Sequence, residues 1–110
     1  MLRFKPDVRV KYFSAQLDEV LRAATLWSLL ERVDVEVNSI DDGPGVHMDG
    51  SLHGWSLAID LDTVGDVPAQ TFGLGDYLRR VLPAGYDIVW EGDHVHVEWD
   101  PHRGPLRRPT

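Results

Sequence analysis

The chain has 110 residues, 43% hydrophobic and 26% charged, which predicts one globular domain with a single modest core. A formal net charge of -7 argues against a general nucleic-acid surface, and no apolar run is long enough to cross a bilayer. With no cysteine, disulfides and thiolate metal sites are excluded, so any transition metal must be held by His, Asp or Glu.

The opening MLRFKPDVRV has no signal-peptide core, which predicts a cytoplasmic chain as synthesised. Residues 8 to 13 (VRVKYF) read as either a short strand or an irregular lead-in. Ser14 is the expected N-cap of a helix running to about Arg32. Leu17, Val20, Leu21, Ala24 and Trp27 recur at helical spacing, and Leu26, Leu29 and Leu30 are expected to widen that core-facing side.

VDVEVN, residues 33 to 38, alternates strictly and predicts a half-buried strand. DDGPG then reads as a turn-rich loop that continues to about Gly54 and carries His47 and His53. SLAIDLD, residues 56 to 62, alternates again. Leu57, Ile59 and Leu61 should face a core, with Ser56, Ala58, Asp60 and Asp62 on the other side. Pro68 suits the first turn of a second helix to about Leu82, with Phe72, Tyr77, Leu78 and Val81 as apolar members.

The last element is a hairpin. A two-residue Gly92-Asp93 turn sets Glu91 opposite His94 and Trp90 opposite Val95. Tyr86, Ile88 and Trp90 then share a face with Val95, Val97 and Trp99, while His94, His96 and Glu98 point the other way; a three-residue turn would mix the two sets. Arg103, Arg107 and Arg108, spaced by Gly104, Pro105 and Pro109, read as a flexible basic tail after a single domain of residues 1–102. The expected fold class is small α+β: two helices on one face of an antiparallel sheet, with a site on the other face.

Four of the five histidines, His47, His53, His94 and His96, fall in two polar segments. Asp60 and His96 would meet if their strands are neighbours, and His53 would complete a triad of the kind that binds zinc with one position open. Spacing alone leaves that site and ordinary hydrogen-bonded polar residues equally open.

The run from Ser51 to Asp60, SLHGWSLAID, resembles the S-x-H-x-x-G-x-A-x-D motif of zinc D-Ala-D-Ala carboxypeptidases and related L-Ala-D-Glu endolysins of bacteria and phages. GVHMDGSLHGWSLAIDL and EGDHVHV also look like the signalling domain of hedgehog proteins, which shares that fold. The resemblance covers roughly residues 33 to 100. It implies zinc held by His53, Asp60 and His96, the last with an acid, Asp93, three residues upstream. Ser56 stands at the motif's glycine, and no arginine lies between Val33 and Gly50, where peptidoglycan-cutting relatives often carry one.

On this reading the chain is a zinc peptidase, a carboxypeptidase or endopeptidase acting on peptidoglycan stems. It would be phage-related, and released by lysis or carried in a phage particle. The general base is Asp93 by the family's spacing, with Glu91 close behind. His94 and His47 are expected to contact substrate or the developing oxyanion, or else to cap a loop. Glu98 would orient a ligand imidazole or be a solvated strand residue, and Ser51 has a local or substrate-touching role. Trp55 would line the cleft or pack in the core, and Trp27, Trp90 and Trp99 are assigned to packing. The competing reading is a zinc-containing binding or structural module of the same fold without turnover; a metallo-amidase is a weaker third.

Overall fold

Ser14 opens the first helix as expected: its hydroxyl accepts the Leu17 N–H at 3.0 Å, satisfying one of the orphan donors of the first turn. The computed structural model describes residues 1–44, 55–65 and 67–99. In chain order the elements are β1 (Leu2–Phe4), α1 (Ala15–Glu31), β2 (Val35–Pro44), β3 (Trp55–Thr63), α2 (Pro68–Val81), β4 (Tyr86–Trp90) and β5 (Val95–Trp99). The loop expected from Gly45 to Gly54 and the basic tail lie outside the described residues.

The five strands form one sheet in the order β1-β2-β3-β5-β4. Both helices cover one face, where Leu17, Val20, Ala24 and Trp27 of α1 and Leu74 and Leu78 of α2 join inward residues of the strands in one core. The α+β class and the placement of the helices agree with expectation. The sheet, however, is mixed: β1 runs parallel to β2, with Arg3 beside Glu36. The segment expected as a strand or lead-in, residues 8 to 13, is irregular, and the strand lies earlier in the chain. Three residues are too few to show alternation, so β1 has no signature of its own.

The reading of DDGPG as a turn is corrected. β2 continues through Pro44, which pairs with Trp55 of β3. Gly43 and Pro44 signal a turn, but pairing with β3 carries the strand through them; earlier, a bulge between Val37 and Ser39 reverses which alternate side chains point inward. Val35 and Val37 face the helices before it, and Asp42 does so after it, only 5% exposed. Asp42 Oδ2 accepts the Ser14 hydroxyl at 2.8 Å and the Ser14 N–H at 3.3 Å, which ties β2 to the start of α1. Gly43 beside it leaves room for the Tyr12 ring, which a Cβ there would approach to 2.9 Å.

α1 presents a narrower apolar face than its leucines suggest. Leu26, Leu29 and Leu30 are 50%, 64% and 63% exposed rather than part of the core. At about 100° per residue, Leu26 lies half a turn from Leu17, on the side away from the sheet. In α2 the same correction applies to Phe72 and Val81, both about half exposed, while Thr71, Leu74 and Leu78 are buried. Pro68 occupies the first turn, as its fixed φ favours.

The terminal hairpin has the expected register, with Trp90 opposite Val95 and Tyr86 opposite Trp99. Gly92 takes φ 90° in the turn, a conformation glycine adopts without steric cost. Trp90 sits on the helix side but remains 40% exposed, edge-on to Phe72 with ring centroids 5.3 Å apart. Among the described residues no helix is long and apolar enough to cross a membrane.

Candidate metal centre

The face of the sheet away from the helices carries the polar alternates of β3 and β5. Asp60 is directly opposite His96 in the β3–β5 pairing. The hairpin fixes what kind of pair this is. The Glu91 N–H donates to the His94 carbonyl at 2.8 Å, so the backbone groups of His94, and of His96 two residues on, point towards β4. The Ile88 carbonyl correspondingly points off the outer edge of β4, where Arg79 Nε and Nη2 donate to it at 3.0 and 2.9 Å. His96 therefore meets Asp60 at a non-hydrogen-bonded position, where Cα atoms approach to about 4.5 Å and side chains lie closest.

The result is a direct contact. His96 Nδ1 lies 2.7 Å from Asp60 Oδ1, and His96 Nε2 lies 3.3 Å from Glu98 Oε1. The other Asp60 oxygen, Oδ2, accepts the Ser39 hydroxyl at 3.0 Å. Ser39 was not anticipated as part of the site; its place follows from the β2 bulge, which turns it to the open face beside Asp60.

His94 forms the adjoining group. Its Nδ1 is 2.7 Å from Asp93 Oδ1, its Nε2 is 2.8 Å from Glu91 Oε1, and the same Nε2 is 4.0 Å from Asp60 Oδ1. Asp60 thus sits between the two imidazoles. Glu91 lies on the ring edge that faces Asp60, while Asp93, in the turn, has an 85% exposed side chain.

Each imidazole lies between two carboxylates, and that arrangement calls for positive charge. For His96, burial is the largest single influence and lowers the pKa, but hydrogen bonds and charge from Asp60 and Glu98 together outweigh it and raise it. For His94 the hydrogen bond to Asp93 is the largest influence, and it raises the pKa against an opposing effect of burial. The same bond holds the Asp93 carboxyl below its ordinary range. A cation satisfies such a set of acceptors whether it is an added proton or a bound metal, and imidazole with carboxylate is a donor set suited to zinc.

Of the residues expected to hold zinc, Asp60 and His96 are brought together. His53, with His47, Ser51 and the side chain of Trp55, lies outside the described residues. Among the described residues no group of three or more His, Asp or Glu side chains has the arrangement of a complete metal site. Arg3 is the one lysine or arginine in the five strands, and its Nε lies 3.7 Å from Glu36. The chain matches no protein-family model and no curated protein sequence.

Proposed function

We propose that the chain is a zinc-dependent peptidase that hydrolyses peptide bonds of bacterial peptidoglycan stems, as carboxypeptidase or endopeptidase. The observation that carries the reading is the 2.7 Å contact between Asp60 and His96, which joins two ligands predicted from motifs more than thirty residues apart. Asp60 Oδ1 and His96 Nδ1 would hold the ion, with His53 as the third ligand by its place in the motif. A zinc ion held there supplies Lewis acidity, making water acidic enough to ionise near neutral pH and polarising the scissile carbonyl.

The remaining chemistry falls to the chain's own carboxylates. A base must take a proton from the attacking water and deliver it to the leaving amine as the C–N bond breaks. We assign that role to Glu91 ahead of Asp93. Glu91 sits at the edge of His94 that faces Asp60, whereas Asp93 bonds the opposite nitrogen and is largely solvated. Protonated His94, whose two N–H groups are taken by Glu91 and Asp93, would act on negative charge developing on the carbonyl oxygen through its positive charge rather than as a hydrogen-bond donor. Ser39 fixes the carboxylate plane of Asp60.

A second reading is a zinc-containing module of the same fold without turnover. It is favoured by the lack of an arginine between Val33 and Gly50, where peptidoglycan-cutting relatives often carry one to grip a substrate carboxylate. The two readings separate when zinc-loaded protein is incubated with purified peptidoglycan and new amino termini are followed by mass spectrometry. Peptidase activity predicts release that is lost in Asp60→Ala and in Glu91→Ala. Stoichiometric zinc without release favours the module, and release lost in Asp93→Ala but not Glu91→Ala transfers the base to Asp93.

A further inference from the structure

His96 uses both ring nitrogens, and each faces a different carboxylate. Nδ1 looks across the sheet to Asp60, and Nε2 looks along its own strand to Glu98. The second relationship follows from strand geometry, since residues two apart on β5 share a face. Glu98 is opposite Ala58 on β3, so the smallest side chain in that row leaves the carboxylate room to lean towards the imidazole. Its side chain is 31% exposed, so the bond to His96 is partly shielded from water.

A neutral imidazole carries one proton, and the nitrogen that keeps it cannot bind a cation. Two carboxylates compete for that proton here. Asp60, at 2.7 Å, draws it to Nδ1; Glu98, at 3.3 Å, draws it to Nε2. Only the second outcome leaves a lone pair on the nitrogen that shares an edge with Asp60. With a divalent ion bound, Asp60 would no longer accept that proton, and Glu98 would be the acceptor left to the imidazole.

We propose that Glu98 is a positioning residue: it holds the His96 proton on Nε2 and so presents Nδ1, beside Asp60 Oδ1, to a divalent cation. The inference rests on the zinc reading above and extends it to a residue outside the ligand triad. Outer carboxylates of this kind raise ligand basicity and fix ring orientation, and their loss typically weakens metal binding about 10–100-fold.

The test measures zinc affinity by competition with a chromophoric chelator for wild type, Glu98→Ala and Glu98→Gln. The ¹⁵N shifts of His96 are recorded with and without zinc in alkaline buffer, and melting curves verify that each variant folds. The expected result is weaker binding in Glu98→Ala by about 10–100-fold, with partial recovery in Glu98→Gln, whose amide oxygen still accepts a hydrogen bond. In the zinc-loaded wild type the proton should be on Nε2. Equal affinities in wild type and Glu98→Ala, or a zinc-loaded His96 protonated on Nδ1, overturns the role of Glu98 while leaving zinc binding intact. Should Glu98→Ala fail to fold, Glu98→Gln together with the wild-type spectrum decides the same point. Wild type that binds no zinc removes the parent reading and this inference with it.

Discussion

Ser39 and His96 hold the two oxygens of Asp60 from opposite sides, one from β2 through Oδ2 and the other from β5 through Oδ1. The carboxylate is therefore held by both neighbouring strands, which is the kind of preorganisation a metal ligand would need. Asp60→Asn, of nearly the same shape, should keep the fold but lose zinc by more than about 100-fold, beyond the usual cost of an outer residue. Ser39→Ala should lose about 10-fold by removing one orienting bond. Isothermal titration with zinc checks both, and equal affinity in Asp60→Asn and wild type would exclude Asp60 as a ligand.

The two imidazoles predict a pH dependence with a definite sign. Both folded pKa values are raised above the ordinary 6.5, for His94 chiefly by the bond to Asp93 and for His96 by Asp60 and Glu98 against the larger single effect of burial. A raised value means the folded state binds the proton more tightly. The stabilisation is then full below about 6.5 and is lost as pH climbs through the folded values. The lowered Asp93 carboxyl acts oppositely, helping above its ordinary 3.8 and ceasing to help as pH falls through its folded value. In chelator, the Tm advantage of wild type over a His94→Ala, His96→Ala double variant should shrink from slightly acid to alkaline pH. An advantage that grows instead would contradict the ion-pair assignment.

On the zinc reading, metal and proton would compete for the same nitrogen of His96, so apparent zinc affinity should fall as pH drops below the folded pKa. The fall should set in at higher pH than for an isolated imidazole, because the neighbouring carboxylates make His96 hold its proton more tightly. Proton release on zinc binding, read from titrations in buffers of different ionisation enthalpy, checks this. Binding that releases no proton just below that pKa would place the ion elsewhere.

Stability should follow the observed face of α1 rather than its leucine content. Leu17→Ala, at a fully buried position, should cost about 2–5 kcal/mol, whereas Leu26→Gln or Leu30→Gln should stay within about 0.5 kcal/mol of wild type. Urea unfolding of the variants makes the comparison, and a large loss in Leu26→Gln would mean that this side of the helix is covered.

Asp42→Ala should destabilise by about 1–3 kcal/mol, since it removes the acceptor for two Ser14 donors where β2 meets the helix start. Asp42→Asn keeps an acceptor oxygen and should recover most of that. Thermal melts distinguish the two, and an unchanged Tm in Asp42→Ala would mean the tie contributes nothing net.

The local rules were legible in the chain alone. Ser14 as a cap, Pro68 as a first-turn residue, the alternation around Asp60 and the Gly92-Asp93 turn each act over a few neighbouring residues, and each is found as expected. They were enough to put Asp60 on the open side of one strand and His96 on the open side of another. What no local rule contains is which strands become neighbours. That β5 inserts between β3 and β4, that Leu2–Phe4 joins β2, and that a bulge turns Ser39 to Asp60 are outcomes of pairing between distant segments. Nor does spacing say which of two leucine-bearing sides of α1 meets the sheet. Such choices are made by total burial and complete backbone hydrogen bonding across the whole domain, quantities that exist only once the chain has closed on itself.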